Sequence, residues 1–153
     1  MRNVSVVAVA VLGGLLVGLL PGPAGAAEVG QIKVVKGSVT IVRAGRSLPA
    51  AVGTRLEEHD VVVTGRDGSV GITFQDDSLL SAGPDSTLAI DRFAFDSTTH
   101  AGRFETTLRS GTLAVVSGKI AKQSPDAMRV RTPSTMLGVR GTEFLVRAVP
   151  VGP

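Results

Sequence analysis

From residue 28 onward the chain alternates apolar and polar side chains with a period of two, the spacing of a strand that is buried on one face. Val39 and Ile41 alternate with Thr40 and Val42, and Val70, Ile72 and Phe74 with Gly71, Thr73 and Gln75. Leu88 and Ile90 flank Ala89. Phe104, Thr106 and Leu108 alternate with Glu105, Thr107 and Arg109; Met128 and Val130 with Arg129 and Arg131; Phe144 and Val146 with Glu143, Leu145 and Arg147. No stretch offers an apolar stripe at helical spacing. Turn formers punctuate these runs at Gly37-Ser38, Ala44-Gly45, Arg66-Asp67-Gly68, Gln75-Asp76-Asp77-Ser78, Gly83-Pro84-Asp85-Ser86 and Ser110-Gly111. Glycine supplies positive φ, proline a fixed φ and aspartate a side-chain turn. Short strands between such turns predict an all-β single domain of short antiparallel strands, as a sandwich, a barrel or a solenoid. Two looser stretches, Asp96–Arg103 and Lys119–Asp126, are expected to be exposed loops.

The first 27 residues belong to a different kind of segment. Arg2 gives a positive start, Val4–Leu20 is apolar apart from Ser5 and its glycines, and Pro21-Gly22-Pro23 breaks the helix. Small residues follow from Ala24 to Ala27. This is the pattern of a secretory signal peptide with cleavage after Ala26 or Ala27. The rival is an uncleaved anchor, because 17 mostly apolar residues nearly span a bilayer. The expected organisation is therefore a signal peptide over 1–27 and one all-β domain over 28–153, exported to the periplasm or secreted. Removing 27 of 153 residues leaves 126 and takes Arg2 away, so 15 basic residues stand against 13 acidic ones, a net charge of +2. No later stretch is long and apolar enough to span a membrane.

Composition excludes several chemistries. The chain has no Cys, so it holds no disulfide, thiolate metal site, redox pair or cysteine nucleophile. Its pI of about 10.0 reflects missing buffers: with no Tyr or Cys, a small positive excess persists to high pH. That is no nucleic-acid signature, and nucleic acid is not an expected partner. His59, between Glu58 and Asp60, has no second His or Cys at ligand spacing, and His100 has no evident partner. Asp76-Asp77 lacks the spacing of a calcium loop, and Gly118-Lys119 lacks that of a phosphate loop. No nucleophile elbow occurs. Neither an enzyme nor a cofactor is expected.

The turns, taken in order, resemble the FecR-type domain. Gly37-Ser38-Val39, Val52-Gly53-Thr54-Arg55-Leu56 and Asp60–Gly65 are similar to its opening; Gly68–Ser78, with Asp76-Asp77-Ser78 where the family has Asp-Gly-Ser, and Pro84–Leu88 to its middle. Leu108–Leu113 with Gly111, Thr132-Pro133, and Gly138-Val139-Arg140-Gly141-Thr142-Glu143-Phe144 resemble its end. The resemblance runs from about Val29 to Val146. It implies a periplasmic all-β domain of twisted, solenoid-like strands, which in iron-uptake signalling proteins helps relay a signal from an outer-membrane transporter to a cytoplasmic sigma factor. The chain as read has no sigma-binding region and no internal span, so the fold and the envelope location are expected to transfer without the relay.

Two functions fit. The first is an interaction or signal-sensing module that binds another envelope protein through a sheet edge or an arginine-bearing face, with Arg129, Arg131 and Arg147 as candidates. The second is a cell-wall or glycan binder, which the lack of Trp and Tyr disfavours. Gly138 and Gly141 are expected to let the chain reverse, Thr142 to cap a turn, and Arg140 to pair with carbonyls or with Glu143. Arg140→Ala should therefore lower the melting temperature; an unchanged value would assign Arg140 to a surface role.

Overall fold

The computed structural model describes residues 26–139 and 142–150. The residues through Gly25, expected to belong to a signal peptide, together with Arg140 and Gly141 of the closing element, lie outside them. The chain runs β1 (Glu28–Lys36), β2 (Val39–Arg43), β3 (Arg46–Pro49), β4 (Arg55–Glu57), β5 (Val61–Thr64), β6 (Ser69–Phe74), β7 (Leu79–Ala82), β8 (Thr87–Phe95), β9 (Gly102–Val116), α1 (Lys119–Gln123), β10 (Met128–Arg131), β11 (Met136–Gly138) and β12 (Glu143–Ala148). No helix among the described residues is long and apolar enough to cross a membrane.

The strands form one curled twelve-stranded sheet that behaves as two half-sheets sharing β9. The first part of β9 lies between β8 and β10, in the order β3-β2-β5-β8-β9-β10-β11. Its second part lies between β7 and β12, in the order β4-β1-β6-β7-β9-β12. The inward residues of both halves meet in one core. Ile32, Ile41, Leu80, Leu88, Ile90, Leu108, Leu113 and Val130 are fully buried, at about 1.5–3 kcal/mol per large side chain. Phe74, Phe93 and Phe104, from β6, β8 and β9, pack as an aromatic trio with centroid separations of 4.6, 5.2 and 5.6 Å, and so join the two halves. Edge-to-face pairs of this kind add to simple burial. The period of two thus places the core as the sequence predicts.

Three expectations need correction. Ser110-Gly111 is not a turn between strands: β9 runs through it, and Gly111, with φ of 94°, is where the strand leaves one half-sheet for the other. The segment after Lys119 is not simply an exposed loop, since α1 buries Ile120 and Ala121. Its presence follows from topology, because β10 runs parallel to β9, and a parallel return needs a crossover, usually helical. That pair is also the exception to an otherwise antiparallel sheet. Gly138 does not reverse the chain through a positive φ; a Cβ there would meet nothing within 4 Å. Of the other anticipated loop, Asp96–Arg103, residues 96–101 are the exposed β8–β9 connection, whereas Gly102 and Arg103 already belong to β9.

These observations separate two glycines. An added Cβ at Gly111 would overlap Ser86 in a left-handed conformation. Gly111→Ala should cost about 2 kcal/mol or more, and Gly138→Ala should stay within about 0.5 kcal/mol, as read by urea unfolding.

Candidate functional site

The motif residues build turns. Asp60 follows β4, is 1% exposed, and accepts both arms of the Arg43 guanidinium, Nε at 2.8 Å and a terminal nitrogen at 2.7 Å. Its carboxylate also accepts the Glu57 N–H at 2.8 Å, and its backbone carbonyl accepts the Ile90 N–H at 2.9 Å. Arg43 reaches on to Glu57 at 3.1 Å and to the Arg55 carbonyl at 3.0 Å. The bond to Asp60 holds Arg43 above its ordinary pKa, and a guanidinium fork on a carboxylate is among the stronger hydrogen-bonded pairs. One aspartate thereby ties β2, β4, β5 and β8 together.

Asp76 does the equivalent work in the other half. It is fully buried, accepts the Ser78 N–H at 3.1 Å and the Ser78 hydroxyl at 2.8 Å, and receives the Ile120 N–H at 3.4 Å. Its carbonyl accepts the Lys119 N–H at 2.7 Å, while Ser78 Oγ accepts the Gly118 N–H at 3.0 Å. The β6–β7 turn therefore docks α1. Asp77, at the tip with φ of 65°, pairs with Lys119 at 2.7 Å, which holds its carboxyl below the usual range.

A third network, which sequence reasoning missed, seals the join between the halves. Thr64 Oγ1 donates to the Gly83 carbonyl at 2.6 Å and accepts the Ser86 N–H at 2.9 Å. Ser86 Oγ accepts the Thr112 N–H at 3.1 Å beside Gly111. Gly37, with φ of 60°, is pressed against Asp67, and Gly53, with φ of 92°, donates to the Ile32 carbonyl at 2.8 Å. Thr132 closes the β10–β11 hairpin around Pro133 and Ser134, its N–H donating to the Thr135 carbonyl at 2.8 Å. Thr142 is held through its carbonyl, which accepts the Ser117 N–H at 2.8 Å, rather than through the anticipated hydroxyl cap. Phe144 is half-buried against the core. Every buried polar side-chain atom among the described residues is satisfied.

The charged candidates lie elsewhere. Arg129 and Arg131 stand on β10 opposite Glu105 and Thr107 of β9, while Arg147 stands on β12 opposite Thr112, beyond the bend. The outward positions of β8 and β9 bring Arg92, Arg103 and Arg109 to the side that carries Arg129 and Arg131. Glu105 has Arg92 across one strand pair and Arg129 across the other, and bonds Arg103 at 2.9 Å. Asp91 accepts the Thr107 hydroxyl. On these three strands five arginines stand against two carboxylates, and among the described residues of these strands Arg103–Glu105 is the one ion pair. The arrangement can attract and orient an anionic surface. Sequence spacing gave Arg129 and Arg131; the other three need the strand pairing to be known.

Other chemistry is sparse among the described residues. No group of three His, Asp or Glu could hold a metal ion. His59 is solvent-facing beside Glu58, and His100 stacks on Phe95 at 6.1 Å in the β8–β9 loop. The described residues form surface clefts of about 190, 370 and 230 Å³, among others. The largest of these lies between the Pro84-Asp85 turn, the β9 bend and Arg147.

Removing the Asp60 carboxylate strands the Arg43 fork and a buried N–H. Asp60→Ala should cost about 2–3 kcal/mol in urea unfolding, against about 0.5 kcal/mol or less for the exposed Asp126→Ala.

No curated protein and no solved structure gives a significant match to the chain. The family model described as FecR protein matches residues 60–150, from the buried aspartate after β4 to the residues that follow β12. That stretch is more than half of the sequence, and it contains the Asp76 turn, the bent strand and the arginine-bearing face; the chain belongs to the FecR family.

Proposed function

We propose that this protein is an exported, non-catalytic module of the cell envelope that binds an acidic surface of another protein through the arginine-bearing face of β8, β9 and β10. The observation that carries this reading is the excess of five arginines over two carboxylates on three adjacent strands. Apart from Arg103, these arginines have no carboxylate partner within 4 Å among the described residues, so their charge is available to an approaching anionic surface, speeding encounter and selecting against cationic partners. The family is one of signalling regulators, which suits a domain that works by contact rather than by turnover.

Binding to glycan is the weaker reading. Carbohydrate sites use exposed aromatic platforms, whereas all five phenylalanines are buried or half-buried. The leader-like residues 1–27 support export, and the absence of disulfide chemistry is compatible with a periplasm.

Crosslinked affinity capture of the tagged chain from envelope fractions tests the proposal. One envelope protein should be enriched, its recovery should fall steeply as salt rises, and Arg129→Ala/Arg131→Ala should abolish it without lowering the melting temperature. Unchanged recovery by that variant, or saturable binding to isolated cell-wall sacculi in its place, would overturn the assignment.

A further inference from the structure

Among the described residues the sheet has four open edges, at β3, β4, β11 and β12. Natural edges are protected by brevity, proline or charge. β4 and β11 have three residues each, and β3 ends in Pro49. β12 has six residues, no proline, and pairs along one side only, with β9. At its centre Leu145 is 74% exposed, the largest exposure of any large apolar side chain described.

The order of side chains on this edge is self-complementary. Residues 143 to 147 read Glu-Phe-Leu-Val-Arg. In an antiparallel pairing of the edge with itself, centred on Leu145, residues whose numbers are equally far from 145 face each other. Glu143 then faces Arg147 of the second copy, Arg147 faces its Glu143, Leu145 faces Leu145, and Phe144 faces Val146. Alternation puts the charged pairs and the leucine pair on the outer face and the Phe–Val pairs on the core side. There Val146 is buried and Phe144 half-buried. Residues of like parity meet, so the backbone groups turned away from β9 in one chain find those of the other. Neither Glu143 nor Arg147 has an ion-pair partner within its own chain among the described residues.

We propose that β12 is the contact of a two-fold symmetric homodimer, which pairs with β12 of a second copy about Leu145 and continues one half-sheet across the symmetry axis. Such an isologous contact closes on itself and leaves no further edge at β12. The arginine-bearing face lies on the other half-sheet, so the dimer does not compete with it, and this proposal stands apart from the function proposed above.

A charge exchange tests the register directly. The chain, purified from the envelope fraction of cells expressing it, should sediment as a dimer. Glu143→Arg alone and Arg147→Glu alone each place like charges opposite one another twice per dimer. Each should weaken association by roughly tenfold or more, and Glu143→Arg/Arg147→Glu together should restore it. Because the chain has no Cys, Leu145→Cys supplies a single thiol, which should give a covalent dimer on mild oxidation if the two Leu145 positions meet at the axis. A wild-type chain that stays monomeric over the accessible concentration range would overturn the proposal. So would a dimer unaffected by either single exchange, or single exchanges that the double variant does not rescue.

Discussion

The protein depends on one strand serving two sheets. β9 pairs with β8 and β10 along its first part and with β7 and β12 along its second. Neither half-sheet would be complete without it, and the core exists because its bend turns the two inner faces toward each other. The bend is a steric matter. Gly111 takes a backbone conformation that a Cβ would strain, and its place against Ser86 leaves no room for one. Around it, hydroxyls of Thr64 and Ser86 take up backbone groups that the ladder cannot satisfy as the strand changes partners. A buried polar seam of this kind is tolerable only because it is fully bonded.

The same logic explains why the aspartates that look most like chemistry are architectural. Asp60 and Asp76 are the two most buried carboxylates described. Each sits just outside a strand end and accepts several donors that would otherwise be orphaned in the interior. Their work is to fix how neighbouring strands and α1 approach one another. The outer faces of the two half-sheets differ. One half-sheet presents arginines on β8, β9 and β10. The other carries Val34, Leu79, Val116 and Leu145, exposed beside the small residues Gly71, Ser81 and Ala114.

Strand identity was legible in the sequence because it is a local property. Val70, Ile72 and Phe74, or Met128 and Val130, must point one way if their neighbours point the other. Turn chemistry was legible for the same reason at Gln75-Asp76-Asp77-Ser78 and Gly83-Pro84-Asp85-Ser86. Ser110-Gly111 misled because the features that make a reversal also make a bend, and only the partners on each side distinguish them. α1 was hidden because it is a single turn with two buried residues, called for by the parallel return of β10 rather than by any stripe of its own. The arginine face was half visible for a related reason. Arg129 and Arg131 are neighbours in sequence, whereas Arg92, Arg103 and Arg109 join them only through pairing across strands. Arg147, the third arginine expected there, is not part of that face and belongs to the other side of the bend.

The position of β9 along the chain has a consequence for timing. The family match begins at Asp60, yet β1 pairs with β6 and β2 with β5, so the first strands need residues that come tens of positions later. All of them wait for β9, whose last residue is Val116. Until that stretch is available the earlier hairpins have no common core to close on, and closing it involves contacts between distant parts of the chain, which form slowly. The hairpins β2–β3 and β6–β7 can pair locally, but the common core of the two half-sheets can close only after Val116 has been made.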